Sequence, residues 1–124
     1  MEKLLSVAIG GAAGALARYG TVVAYQRFAP SSFPLAILTV NVLGSLLFGL
    51  VWAHAEDRDW ISQNMRLLVL TGFMGSFTTF STFAFDEAMF IRSGNWVLFA
   101  ANLLISNAAS LAAVFVGFRV GKLI

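Results

Sequence analysis

The feature that most constrains this chain is an uncharged stretch from Leu67 to Phe85, rich in glycine, hydroxyl residues and phenylalanine. Within it, residues 71 to 83 read TGFMGSFTTFSTF, with two glycines, six hydroxyl residues and four phenylalanines in thirteen positions. Glycine, serine and threonine all weaken a helix, so this composition predicts a helix that breaks. In hydrocarbon, broken backbone persists only where it is buried in protein or lines a wet cavity. The segment therefore predicts an interrupted membrane helix, and its hydroxyls and ring edges suggest an ion path.

Composition indicates that lipid is the solvent of this chain. Of its 124 residues, 59% are hydrophobic and 11% are charged, and the mean hydropathy is +0.83. Because a soluble domain carries about 25% charged residues, this chain cannot cover itself with polar surface. Each span needs roughly 20 residues, and the apolar runs place four spans at about residues 3–25, 33–54, 65–91 and 96–118. We predict an all-α membrane protein with a single domain over residues 1–124, four transmembrane helices and a third helix broken near its middle.

The residue types argue against several classes of function. Cysteine is absent, which rules out disulfides and thiolate metal sites, and the one histidine, His54, disfavours a histidine-based metal site. The chain contains no P-loop, GxGxxG or HExxH motif. Its lysines and arginines form no basic block that would favour nucleic acid. We therefore expect no enzyme, no organic cofactor and no nucleic-acid partner.

Small residues and one arginine mark the first span. Gly10 and Gly14 form a GxxxG motif, which lets helices approach closely. Lys3 followed by an apolar run and Ala15-Leu16-Ala17 is also compatible with a signal peptide, although the glycine and alanine spacing favours helix packing. Arg18 lies within the span and cannot easily face lipid. It can snorkel to the interface or line a vestibule that attracts anions, and both interpretations stay open.

Polar side chains lie at membrane depth on the second and fourth spans. Asn41 is an amide in an apolar segment and needs partners, either on a neighbouring helix or in an anion path. Asn102, Ser106 and Ser110 recur every four residues, which draws a stripe of roughly 12 Å along one helix face. The stripe is compatible with interhelical hydrogen bonds or with a track of donors for an anion.

Two phenylalanines of the third span share a helix face, because Phe80 and Phe83 are three residues apart. Taken alone, such a pair indicates core packing. An aromatic ring also has a positive edge, which attracts an anion weakly. A weak site can be both entered and left, as conduction requires. Together with Asn41 and the hydroxyls, the pair suits passive movement of a small, hard, hydrated anion.

The predicted break offers a second kind of site. Backbone carbonyls freed near Gly72, Gly75 and Thr78 would be good ligands for a hard cation. Across a two-fold axis, two breaks would face each other and double the number of carbonyls.

Charge specifies the orientation of the chain only weakly. Trp52 and Trp60 are expected near the interface, around a solvated loop that holds Glu56, Asp57 and Asp59. The side with both termini would carry five basic residues and the other side three, respectively Lys3, Arg58, Arg66, Arg119 and Lys122, against Arg18, Arg27 and Arg92. A chain that inserts both ways could form an antiparallel dimer.

These segments together resemble the Fluc/CrcB family of small fluoride channels. The resemblance covers essentially the whole chain and rests on GGAAGALARY at 10–19, FPLAILTVNVLGSLLFG at 33–49, GFMGSFTTFSTF at 72–83 and the stripe from Asn102 to Ser110. It implies an antiparallel, dual-topology homodimer of four-helix subunits in a bacterial-type inner membrane. Such a dimer would hold two pores that export fluoride passively down its electrochemical gradient, and one central structural sodium ion.

The resemblance also implies roles for single pore residues. Asn41 matches the pore asparagine, and Phe80 and Phe83 match phenylalanines whose edges face fluoride. The last helix matches a polar track, with Thr39 of the second span near its path; the track residues are Asn102, Ser106 and Ser110.

Other matches concern the sodium site, the vestibule and a carboxylate. Gly75 and Thr78 match positions whose backbone carbonyls hold sodium, and Arg18 matches a basic residue near the vestibule. The chain departs from the family pattern at Asn102, often a tyrosine in relatives, and at Asp86, where a glutamate commonly lies with Glu87 here beside it. Asp86 is thus a candidate pore-associated carboxylate that reaches one methylene less far.

Two other interpretations are compatible with four spans. A small multidrug exporter with proton coupling would need a carboxylate inside the membrane, usually in the first span. Only Glu2 precedes Glu56, and only Asp86 and Glu87 come near membrane depth, which argues against this interpretation. A non-transporting structural subunit would explain the glycines but not the hydroxyl-rich break.

Overall fold

The structure is a computed structural model that describes residues 1–57 and 61–124. In these residues, four helices are long and apolar enough to cross a membrane: Glu2–Phe28, Leu35–Glu56, Gln63–Arg92 and Trp96–Leu123. The predicted all-α architecture with four membrane helices is confirmed. The loop and interface roles predicted for Arg58, Asp59 and Trp60 fall outside the described residues.

The first two spans are continuous α-helices. Helix α1 runs from Glu2 to Phe28 and helix α2 from Leu35 to Asp57. Pro34 directly precedes α2, and its carbonyl accepts the amide of Leu38 at 3.0 Å. Proline suits this place because the first turn of a helix has no intrahelical partner for its amide.

The third span consists of several pieces. Helix α3 (Gln63–Arg66) leads into a π-helical segment (Leu67–Met74) and then into the short α4 (Gly75–Phe77). Extended backbone at Thr78 and Thr79 follows, with ψ angles of 157° and 121°. Helix α5 (Phe80–Arg92) completes the span. The predicted interruption of the third helix is therefore present.

The interruption covers Thr78 and Thr79, whereas the backbone near Gly72, where the sequence predicts freed carbonyls, stays helical. Gly72 remains helical, because it packs against α1: a Cβ at Gly72 would lie 2.7 Å from the carbonyl oxygen of Val7. A Cβ at Gly10 would overlap the carbonyl of Leu68, and one at Gly14 the carbonyl of Phe73. These glycines let α1 and the π-helical segment touch backbone to backbone.

The fourth span is α6 (Trp96–Leu123), which lies along α2 and also contacts α5. A Cβ at Gly49 would overlap the carbonyl of Val114, and one at Gly117 the carbonyl of Leu46, so this pair is also packed through glycine. Gly94, with φ of +70°, makes the turn between α5 and α6. Glycine adopts this left-handed backbone without steric cost.

The surface of the folded chain is apolar and its interior contains a polar cluster. Large side chains such as Leu16, Leu104 and Val97 are exposed, as expected for helices that face lipid. The buried polar residues gather at the break and between α5 and α6, and are Thr79, Glu87, Asn102 and Ser106. These buried polar residues all lie at the break or after it in the chain.

Candidate functional site

A cavity of about 490 Å³ lies beside the break, between α2, the third span and α6. Among the described residues that line it, none carries a formal charge. Most of the side chains that the sequence singled out meet here, with Asn41 from α2, Phe80 and Phe83 from α5, Ser106 and Ser110 from α6, and Gly75 and Thr78 from the break. The cavity therefore joins aromatic rings, an amide and hydroxyls around one uncharged space.

Asn41 bonds the break itself. Its Nδ2 donates to the carbonyl of Thr79 at 3.1 Å, and its Oδ1 accepts the amide of Thr79 at 2.8 Å. The side-chain amide thus replaces the helical partners that Thr79 lacks, which backbone at membrane depth requires. Because an amide nitrogen has two hydrogens, one N–H of Asn41 remains for the cavity.

Thr79 also starts α5. Its Oγ1 accepts the amide of Thr82 at 3.2 Å, as the first residue of a helix commonly does. Thr79 is only 6% exposed. Thr79 thus stabilises the start of α5, the second half of the span. Phe80 and Phe83, which follow on α5, line the cavity.

The two phenylalanines differ in exposure. Their ring centroids are 5.6 Å apart with the planes tilted by 46°. Phe83 is 7% exposed, whereas Phe80 is 76% exposed in the single subunit. Phe83 is therefore held in the interior of one subunit, and Phe80 stands where the cavity opens.

The stripe on α6 belongs partly to the cavity and partly to a hydrogen-bonded chain behind it. Ser106 and Ser110 line the cavity, and Asn102 is fully buried. Ser106 donates from Oγ to Oδ1 of Asn102 at 2.8 Å. Asn102 in turn donates from Nδ2 to Oε1 of Glu87. The two interpretations of the stripe thus apply to different residues: Asn102 bonds between helices, whereas Ser106 and Ser110 face the cavity.

Glu87, not Asp86, reaches the polar stripe. Glu87 is 7% exposed and bonds Asn102, whereas Oδ2 of Asp86 is buried with no hydrogen-bond partner among the described residues. Helical spacing indicates the position of Glu87, because residues at i, i+3 and i+7 share one helix face. These positions are Phe80, Phe83 and Glu87. Asp86 stands to one side of that face.

Asn107 was also missed by the sequence reasoning. It lines the cavity and is exposed in the subunit, with its Nδ2 donating to the carbonyl of Leu103 on its own helix at 2.7 Å. Asn107 lies one residue beyond the four-residue stripe, so the periodicity that found Ser106 and Ser110 passes it by.

Thr39 and Arg18 lie outside the cavity lining. Oγ1 of Thr39 is 2.8 Å from the hydroxyl of Tyr25, which links α2 to α1. Nη1 of Arg18 is 3.5 Å from the carbonyl of Thr78, a long contact at the limit of hydrogen bonding. Arg18 therefore reaches the break from α1 while remaining half-buried.

The break exposes carbonyls that can hold a cation. The amide of Thr79 donates to Asn41 and so is not available to the carbonyl of Gly75, one turn earlier. A Cβ at Gly75 would meet no atom within 4 Å, so the space beside it is open. The carbonyls of Gly75 and Thr78 end a helical segment, where the backbone dipole favours positive charge. Their chemistry fits a hard cation such as sodium.

The fold and the cavity define a class: small four-helix membrane proteins with a broken third helix around an uncharged polar path. The model of the family described as "CrcB-like protein, Camphor Resistance (CrcB)" matches residues 5–118, and the chain belongs to this family.

Named relatives match the chain over nearly its full length. The "Fluoride-specific ion channel FluC" of Nitrosococcus oceani is 46% identical, covering 99% of this chain and 98% of the relative. The protein of that name from Nitratidesulfovibrio vulgaris strain Miyazaki F is 44% identical over the whole of both chains. "Fluoride-specific ion channel FluC 2" of Symbiobacterium thermophilum is 47% identical over 94% of each chain.

Proposed function

We propose that the protein is a fluoride-selective channel of the bacterial inner membrane, which it crosses four times. The observation that carries this proposal is the uncharged cavity that brings Asn41, Phe80, Phe83, Ser106 and Ser110 together beside a broken membrane helix. The names of the curated relatives support fluoride as the ion.

The cavity suits an anion that must shed water and still leave. The remaining N–H of Asn41 and the hydroxyl of Ser110 replace hydration donors. The edges of Phe80 and Phe83 add weak positive potential. A lysine or arginine at this depth would bind the anion too tightly for conduction. Because the sequence has no P-loop for ATP, fluoride would move down its electrochemical gradient, and the protein would act as a channel, not as an enzyme.

The pore is completed by a second, antiparallel copy of the chain. Two observations support this proposal: Phe80 is 76% exposed, and the open space beside Gly75 lies at the surface of the subunit. An isologous partner would cover both. Each subunit would contribute to both pores of the homodimer. The chain would insert into the membrane in both orientations.

A structural sodium ion at the two-fold axis fits the same surface. The carbonyls of Gly75 and Thr78 would bind it, and the partner's equivalent breaks would double the number of oxygen ligands. Each carbonyl oxygen has two lone pairs, so the carbonyl of Thr78 can accept a hydrogen bond from Arg18 and bind a cation at the same time. Sodium would hold the two breaks at a fixed distance.

Replacing sodium by a large organic cation is expected to reduce channel activity, which fluoride efflux measures.

The exporter interpretation gains no support from the cavity. Its mechanism needs a carboxylate that meets the transported cation, but Glu87 lies behind Asn102 and does not line the cavity. The structural-subunit interpretation leaves the polar lining without a role.

The proposal is tested by fluoride efflux from liposomes that contain only this protein. Phe80→Ile and Asn41→Asp are expected to lower efflux at least about tenfold, because the first removes a ring from the cavity and the second places a negative charge where the anion passes. Phe85→Ile is the matched control, because Phe85 lies on the same helix, is 64% exposed and does not line the cavity. Equal losses in Phe80→Ile and Phe85→Ile would argue against the assigned path.

A further inference from the structure

The hydrogen-bonded chain from Glu87 to Ser106 has a direction. As the structure has it, Glu87 Oε1 accepts from Asn102 Nδ2, and Asn102 Oδ1 accepts the hydroxyl of Ser106. The only hydroxyl hydrogen of Ser106 is thereby turned away from the cavity that Ser106 lines. In this direction Ser106 offers an anion lone pairs and no donor.

The same three side chains can bond in the opposite direction. A protonated Glu87 carries an O–H, which can donate to Asn102 Oδ1 once the amide has turned by half a rotation. Asn102 Nδ2 then donates to Ser106 Oγ, and the hydroxyl of Ser106 is free to donate into the cavity. The reversal takes one proton from water onto Glu87 and makes or breaks no other covalent bond.

We propose that Glu87 is a positioning residue that, through Asn102, sets whether Ser106 presents a donor to an anion, and that protonation of Glu87 turns this donor on. The inference rests on the proposed fluoride channel. Anion binding and proton binding are then linked, so that each favours the other.

The surroundings of Glu87 leave its carboxyl group buried with one oxygen unpartnered within residues 1–57 and 61–124. It is 7% exposed, and its Oε2 has no hydrogen-bond partner among the described residues. The nearest charged groups on α5 are Asp86 and Arg92, and α6, which packs against it, carries charge only at Arg119 and Lys122 near its far end. The described part of the chain thus gives the carboxylate no cation at close range, and a buried unpaired charge is costly.

The test compares pH profiles of fluoride efflux in the wild type and Glu87→Gln, after subtraction of leakage of neutral acid through protein-free vesicles. Efflux in the wild type is expected to rise about tenfold as lowering the pH protonates Glu87, the effect of one hydrogen bond to a charged group. Glu87→Gln is expected to be flat, because the glutamine amide does not titrate.

Two controls keep the result specific. Asp86→Asn, which changes the neighbouring carboxylate, should still show efflux that rises as the pH falls, because it leaves the bonds from Glu87 to Asn102 and Ser106 in place. Ser106→Ala should be slow and flat, because the donor itself is gone. Coinciding profiles for the wild type and Glu87→Gln, whether both rise or both are flat, would overturn the proposal.

An infrared measurement separates this inference from the proposed function. Addition of fluoride, but not of chloride, should increase the band of a protonated carboxyl in the wild type and in Asp86→Asn, and Glu87→Gln should lack this change. Absence of efflux from every variant would sink the proposed channel. A fluoride-dependent carboxyl band that survives in Glu87→Gln, or no such band in the wild type, would overturn the role of Glu87 by itself.

Discussion

Glycine has opposite consequences in the two halves of the third span. In the π-helical segment, Gly72 and the facing Gly10 and Gly14 remove side chains so that two backbones touch. At Gly75, an added Cβ would meet nothing, and the adjoining backbone leaves the helix at Thr78. The first half is a scaffold packed without polar side chains, and the second half is a site. The role of a glycine in a membrane helix therefore depends on whether another helix packs against it.

The largest effect is expected in the scaffold. Gly14→Leu would drive a side chain into the backbone of Phe73, where neither helix can yield, so we expect a loss of about 3 kcal/mol or more and little folded protein. Thermal unfolding in detergent measures this change. Gly20→Leu is the control on the same helix, because a Cβ there meets no atom within 4 Å. Similar destabilisation by both substitutions would show that close backbone approach is not what matters.

The second effect concerns the connection between scaffold and site. Asn41→Leu removes both hydrogen bonds to Thr79 and leaves its amide and carbonyl without partners. We expect a loss of about 2–3 kcal/mol together with loss of fluoride efflux. Thr39→Val on the same helix breaks only the contact with Tyr25, which does not involve the cavity, and is expected to lower stability by about 1 kcal/mol. A stable, fully active Asn41→Leu protein would remove Asn41 from the account.

The third effect separates packing from conduction within the site. Phe83→Ile is expected to lower both stability and efflux, because Phe83 is buried in its own subunit. Phe80→Ile is expected to lower efflux while the subunit loses little stability, because Phe80 is 76% exposed. Melting curves and efflux rates from the same preparations test this difference. If both variants lose stability alike, the exposed position of Phe80 is wrong.

The smallest effect is expected on α6. Ser110→Ala removes one hydroxyl from the cavity lining, so we expect a severalfold reduction of efflux, in line with about 1 kcal/mol for one hydrogen bond, and no change in stability. Ser93→Ala is a suitable control, because Ser93 ends α5 outside the cavity and bonds its own helix. An unchanged rate in Ser110→Ala would restrict the path to Ser106.

The architecture was predictable because lipid imposes strong rules on a sequence. Four apolar runs and a hydroxyl-rich interruption predict the four spans and the broken third helix. The extent of the break was not predictable, because Gly72 is kept helical by α1, a contact between residues far apart in the chain. Local composition does not distinguish a glycine that opens the backbone from one that admits a neighbour.

The cavity residues were predictable in part. The three- and four-residue spacings of Phe80, Phe83, Ser106 and Ser110 place them on faces that do meet around the cavity. The resemblance to the family points to Asp86, whereas helical spacing places Glu87 on the face of Phe80 and Phe83. The hydrogen bond between Glu87 and Asn102 joins two helices, so the sequence of neither helix alone predicts it.

The central claim is that an uncharged, donor-lined cavity in this chain conducts fluoride. The most direct measurement is anion efflux from liposomes that hold the purified protein alone, with fluoride and chloride compared under the same membrane potential. The account predicts rapid fluoride efflux and chloride efflux no faster than in empty vesicles. Fluoride-tight vesicles, or equal rates for the two anions, would contradict it.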